Sequence, residues 1–486
     1  MKNKTIRTLL AIALAMSFGL SVAACARQAG AGTGTTGETE STANAQIRVT
    51  QEMNNSTGGE HVITADGQAA EYSNVSVTKT GDSSKNDEAD FYGDNSAVFA
   101  TNGATLTLSN MVINTNGTHA NAVFSYGKGT TVNVSNTVIE TTGNCSGGIM
   151  TTGGGTMNAT DLTVHTTGNS SAAIRSDRGG GTVTVTGGTY TTDGTGSPSI
   201  YSTADITVNN ATLTSTASEG VVVEGKNSVT LNNVTLKADN TVHNSDKSSY
   251  YNGVMIYQSM SGDADEGTAS FTMKDGSFTN ANGDVFFVNN TVATIKLENV
   301  SISNKDINGV FLRAAAAGWG NEGSNGGKVN LFMINQKIYG DIVVDKVSGL
   351  NMYMSSGSLF EGAVNADNAG EVYIEIEKGS TWTLTGDSYV TSLTCDADSI
   401  NLNGYKLYVN GKEYTEGTAS EGEAVVFKTE SSSGFRPGGN GTNDGQPPEM
   451  PNGEKPSGDP PSGDPPGDPP SDGSGHPPAK PEENAD

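Results

Sequence analysis

The side chains able to do chemistry are few and can be named from the sequence. Arg175, Asp177 and Arg178 stand together in AAIRSDRGGG and are the catalytic candidates, guanidinium groups flanking one carboxylate. Two acidic stretches are the metal candidates. GDSSKNDEADFYGDN carries Asp82, Asp87, Glu88, Asp90 and Asp94, and SGDADEG carries Asp263, Asp265 and Glu266. Calcium takes about six to eight oxygen ligands, and closely spaced carboxylates in a loop could supply some of them. Neither stretch has the spacing of an EF-hand, and calcium is the one cofactor the sequence leaves open. His61, His119, His165 and His243 fall at different positions of the internal repeat. With the cysteines they show no zinc-ligand spacing, so neither a histidine dyad nor a zinc site is expected.

These residues ride on a repeat. The stretch SAVFATNGATLTLSNMVINTNG returns as NAVFSYGKGTTVNVSNTVIETTG and again as GGIMTTGGGTMNATDLTVHTTG. Aligned on Val98, Val123, Ile149, Ile174, Ile200 and Val222, the intervals are 25, 26, 25, 26 and 22 residues. Within each unit apolar residues alternate with period two, the spacing of strands. A second segment supplies pairs such as Leu106 and Leu108, then Val132 and Val134. A third supplies Ile113, Ile139, Val164, Tyr190, Leu213 and Leu236. Each unit is therefore three short strands with one apolar face each, which only stacking on neighbours can bury. Asn110, Asn136, Asp161, Gly187, Asn210, Asn233, Asp275 and Asn299 recur just past the second strand. These types tolerate a left-handed backbone and mark a sharp corner.

Three strands per unit, this period and the asparagine corner resemble the right-handed parallel β-helix of the pectin lyase-like superfamily. The resemblance covers about residues 47–427 and implies an all-β solenoid of about a dozen three-strand coils. SINLNGYKLYVNGKEY, around Asn403-Gly404 and Asn410-Gly411, reads as a hairpin covering the C-terminal end. Many members of that superfamily cleave polysaccharides. The resemblance would make Arg175 a lyase base, given neighbouring carboxylates to hold calcium, but no such carboxylates are evident on adjacent coils. Asp193 falls on another face, and the paired aspartates of the polygalacturonase-like hydrolases are missing. Cys145 and Cys395 lie about ten coils, on the order of 50 Å, apart at about 4.8 Å per coil. Two unpaired thiols are expected.

The residue after each inward position of the first strand forms a further column of Phe99, Phe124, Met150, Arg175, Tyr201, Val223 and Met255. Pointing outward, it would be an exposed ligand-binding strip whose planar rungs suit sugar rings or a partner protein. Pointing inward, it would be an internal stack.

The ends have other work. Lys2, Lys4 and Arg7 before LLAIALAMSFGL form an export signal over residues 1–24. VAAC resembles a lipobox, which implies acylation of Cys25. Residues 25–45 are a small, polar tether, residues 46–430 the solenoid, and residues 431–486 a disordered Pro/Gly/Asp-rich tail. The net charge of −26 argues against nucleic acid as a partner. The chain also resembles bacterial β-helix lipoproteins described as adhesins. The sequence thus implies a lipid-anchored surface protein, held by membrane lipid, on the cytoplasmic membrane's outer face or on an outer membrane. Its partners would be glycans or host or neighbour-cell surface proteins. A polysaccharide lyase or hydrolase and a structural envelope scaffold are the alternatives.

Overall fold

A computed structural model describes residues 47–243 and 245–427. The export signal, Cys25, the tether and the Pro/Gly/Asp-rich tail lie outside the described residues. Within them the chain is a parallel β-helical solenoid. Its strands fall into three columns, and in each column a strand pairs in parallel with its counterpart one coil later.

The first column is an 11-stranded parallel sheet. Its register runs Ile63, Val98, Val123, Ile149, Ile174, Ile200, Val221, Val254, Phe286, Leu312 and Ile342. A bridge from Ile342 to Val364 adds a twelfth layer. The second and third columns merge into a 21-stranded sheet, because Ser228–Ala238 and Thr268–Asn280 run through the corner between them. These side chains alternate in and out as the pleat requires. Leu106 with Leu108, Val132 with Val134, and the third-column series from Ile113 to Leu236 are all buried in one continuous core.

The expected corners are present. Asn110, Asn136, Asp161, Asn210, Asn233, Asp275 and Asn299 have φ between 45° and 57°, and Gly187 has φ 71°. Side-chain bonding between corners is local: Asn233 Nδ2 donates to Asn210 Oδ1 at 2.9 Å, and Asn299 Nδ2 to Asp275 Oδ1 at 2.7 Å.

Three sequence expectations need correction. In the coil after Ile200 the inward residue is Val221, an interval of 21 residues, because Ile200 pairs with Val221 and Tyr201 with Val222. Val222 therefore belongs to the outward column and Val223 to the core, since a shift of one residue exchanges the faces of a strand. The stretch around Asp87 is no loop, for Asn86–Tyr92 is a seven-residue α-helix. Asp87 and Glu88 sit in its first turn, where the helix dipole favours them, and Gly93 ends it with φ 81°. The terminal hairpin is shorter than expected. Leu407–Val409 and Lys412–Glu413 pair antiparallel about Asn410-Gly411. Ile400–Asn401 still pairs in parallel with the strand below it.

Cys145 and Cys395 are both free, as their separation along the solenoid requires.

Part of the core is an aromatic cluster. Phe286 is fully buried and meets Phe271, Phe278 and Phe311 with ring centroids 5.5, 6.0 and 5.5 Å away, all edge-on. Phe286→Ala should lower stability by about 3–5 kcal/mol, read as a shift of the urea unfolding midpoint. A loss below about 1 kcal/mol would mean that this ring does not span the core.

Candidate functional site

The outward column of the first sheet is neither an exposed strip nor an internal stack. It points away from the core and is roofed by inserted segments. Phe124 and Met150 are fully buried, Val222 and Met255 nearly so, and Phe99, Arg175 and Tyr201 are half-buried. The expectation of an exposed strip fails because the loops that leave the corners fold back over this face.

The roof has two parts. Over the first, helix Asn86–Tyr92 and Gly93 lie against Phe99 and Phe124. A Cβ on Gly93 would stand 2.6 Å from the Phe99 ring and 3.0 Å from that of Phe124. His61 stacks on Phe99 at 4.5 Å, and Thr152 Oγ1 donates to the Phe91 carbonyl at 2.6 Å. Over the second, Val222, Met255 and Phe287 form an apolar cluster with Tyr257, Ala315 and Trp319, and Tyr250 packs against it.

Between these two apolar patches the column is polar. Arg175 Nη2 donates to Asp177 Oδ2 at 2.9 Å, and Arg175 Nη1 stands 3.6 Å from Asp90 Oδ1. Two carboxylates thus flank Arg175: Asp177 stands in its own coil, and the inserted helix brings Asp90 from outside the repeat. Burial works against the Arg175 guanidinium, but Asp90 and Asp177 outweigh it and hold the group above its ordinary value. It therefore stays charged and is unavailable as a base. Burial raises the Asp177 carboxyl to about 6 against the pull of Arg175, with Asp263 and Asp90 adding to the rise. Two coils further, Glu224 is buried and accepts hydrogen bonds from the hydroxyls of Tyr201, Ser259 and Tyr257, the last at 3.2 Å.

Arg178 bridges the two acidic stretches. It lies over the Phe91 ring at 3.8 Å and donates to Asp263 at 2.7 Å. Asp265 turns instead to Lys226 at 2.7 Å. Asp263 and Asp265 thus face separate cations.

Among the described residues, one group of three metal-ligating side chains converges: Asp90, His119 and Cys145, with one ligand atom from each within 4.8 Å of the others. The sequence reading missed it. His119 and Cys145 are 26 residues apart, one coil, so periodicity held a signal for that pair. Asp90 comes from an insertion and gave none. Of the other histidines, His243 stacks on Tyr251 at 4.0 Å. His165 bridges Asp193 at 2.7 Å and Glu140 at 3.1 Å on the third column.

The second column differs in kind. Its outer face carries Thr107, Asn133, Asn158, Thr184, Thr207 and Thr230 in one register line, all half-buried. Thr105, Thr131, Thr156 and Thr182 run beside them. No inserted segment among the described residues is bonded across this part of the face. Asn158 Nδ2 donates to Asn133 Oδ1 at 2.9 Å, and Asn232 Nδ2 to Asn209 Oδ1 at 2.9 Å, which fixes side chains along the stack.

No family model, curated protein or solved structure matches this chain.

Two outcomes test this geometry. Gly93→Ala should strain a left-handed position and push its methyl into two rings, at about 1–3 kcal/mol. Amides of residues 86–92 should exchange faster while the core keeps its protection; unchanged exchange would mean the helix is not seated on those rings. His165 gives a pH dependence. Its hydrogen bond to Asp193, then Glu140, raises the imidazole above 6.5 in spite of partial burial. The stabilisation is therefore complete below 6.5 and lost as pH rises through the raised folded value. His165→Gln should remove this component, less than about 1 kcal/mol for so exposed a pair. A wild-type and variant difference that does not change between pH 5 and 9 would contradict it.

Proposed function

We propose that this protein is a lipid-anchored, non-catalytic surface protein that binds neutral glycan or a polar partner surface along its second column. Anchoring would run through acylated Cys25 and the polar tether. The observation that carries the reading is the uncharged register line from Thr107 to Thr230, flanked by threonines from Thr105 to Thr182 and then by Asp205 and Ser228. Hydroxyl and amide groups both donate and accept hydrogen bonds. Repeated at each rung of about 4.8 Å, they match an extended polymer that is itself rich in hydroxyls. The overall charge of −26 disfavours anionic polymers and leaves neutral ones.

The enzyme alternative draws on Arg175 and its carboxylates. Their pairing favours a clamp over a base, since a lyase base must give up its proton and Asp90 and Asp177 hold this guanidinium protonated. The aromatic strip supports no glycan platform, because Phe124 and Met150 are covered.

The test is a glycan array probed with the purified protein lacking residues 1–25. Thr184→Lys combined with Thr207→Lys should leave stability within about 0.5 kcal/mol. It should weaken the bound glycan at least about tenfold by setting charged stems across the rungs. Retained affinity in that variant, or depolymerisation of pectin or alginate by the wild type, would overturn the reading.

A further inference from the structure

Asp90, His119 and Cys145 reach one corner of the solenoid from three separate stretches. His119 and Cys145 are the left-handed corner residues of consecutive coils, with φ 56° and 54°. The backbone N–H of His119 donates to the Asn144 carbonyl at 2.9 Å, and that of Cys145 to Asn169 at 2.8 Å. These bonds set the two side chains one rung apart. Helix Asn86–Tyr92 brings Asp90 down onto them, so that His119 Nδ1 lies 3.0 Å from Asp90 Oδ1. The His119 side chain is 7% exposed and that of Asp90 17%, and Cys145 is half-buried.

We propose that Asp90, His119 and Cys145 form a binding site for a borderline divalent cation, zinc foremost, with a fourth position open to water or a ligand. One thiolate, one imidazole and one carboxylate is a donor set that selects zinc over the oxygen-seeking calcium. A tetrahedral ion with bonds of about 2.0–2.3 Å holds its ligand atoms roughly 3.3–3.8 Å apart. The three atoms already lie within 4.8 Å, so side-chain shifts of about 1 Å close the shell.

The charges balance. A dication meets the Asp90 carboxylate and the Cys145 thiolate, His119 binds as neutral imidazole, and the Cys145 proton leaves to solvent. Arg175 Nη1 is buried, makes no hydrogen bond and faces Asp90. When the cation takes Asp90, Arg175 keeps Asp177 at 2.9 Å. The metal would then tie the inserted helix to two coils of the solenoid.

The test uses the full chain with Cys25→Ser and Cys395→Ser, which leaves Cys145 as its sole thiol. After treatment with chelator, added Co2+ should produce thiolate-to-cobalt charge-transfer absorption. It should saturate at about one ion per chain, as a single site requires. Zn2+ should bleach the band and excess Ca2+ should not. Cys145→Ser should abolish it. Serine is compatible with this corner, for Ser170 occupies the next one with φ 54°. His119→Gln and Asp90→Asn keep the thiol and should each weaken Co2+ binding at least about tenfold, the loss that even outer partners of a metal ligand can cause. No charge-transfer band, a band that Ca2+ removes, or a band with unchanged affinity in both latter variants would overturn the proposal.

Discussion

The parallel backbone ladder between consecutive coils fixes where every other group of this molecule goes. Val123 sits on Ile149 and Ile149 on Ile174, residue for residue. Each side chain therefore belongs to a column, and each column to the core or to the outside. The ladder also dictates the corners. To bring a strand back in register after a few residues, the chain must turn through a left-handed position, and asparagine accepts it with little penalty. Asn110, Asn136 and Asn210 thus follow from the hydrogen bonding they permit. Extra residues can leave only where the ladder allows, at corners, and residues 258–267 do so between the strands Asn252–Tyr257 and Thr268–Asn280.

Those extra residues make the first face unlike the others. An arginine clamps each of two roofing segments by pairing with a carboxylate and lying on an aromatic ring. Arg178 joins Asp263 to Phe91, and Arg313 joins Asp284, with Nε–Oδ2 at 2.5 Å, to the Tyr250 ring at 4.4 Å. Buried or half-buried ion pairs add little net stability against well-packed apolar groups, because the charges must lose their water. Apolar contact does the holding, through Val222, Met255, Phe287 and Trp319 in one patch and Phe99 and Phe124 in the other. The pairs decide which geometry is held, since a shifted segment would leave a charge uncompensated.

The solenoid was legible because its signal is periodic. Alternation gave the strands, recurrence gave the coils, and the corner asparagines appeared at each turn. One coil was misread by a single residue at Val221 and Val222, where two adjacent valines fit either phase. The candidate site was only half legible. Arg175, Asp177 and Arg178 were picked out, as was Asp90 among the acidic residues, but their meeting was not visible. Asp90 belongs to no coil, and nothing in the repeat says which face an insertion will fold over. His119 and Cys145 are one period apart, yet zinc-ligand spacings are learned from short loops. A stacked solenoid brings together residues some two dozen positions apart. Ligand search in such a chain has to be done modulo the coil length.

The second face shows why composition alone cannot explain the threonines. Threonine is β-branched and suits any exposed strand position, so a threonine-rich face could reflect strand propensity and nothing more. The register gives a control inside the same molecule. The line that carries Thr107, Asn133, Asn158, Thr184, Thr207, Thr230 and Thr272 continues into later coils as Lys296, Phe332, Tyr353 and Glu375, and begins one coil earlier as Glu71. These positions share one backbone geometry and one outward direction, and there the column takes charge and aromatic rings. Strand propensity acts equally on all of them, whereas Glu71 and Glu375 are exposed and the positions between them half-buried. What sets the middle coils apart along this line is a restriction to small hydroxyl and amide groups over consecutive rungs, which propensity does not account for.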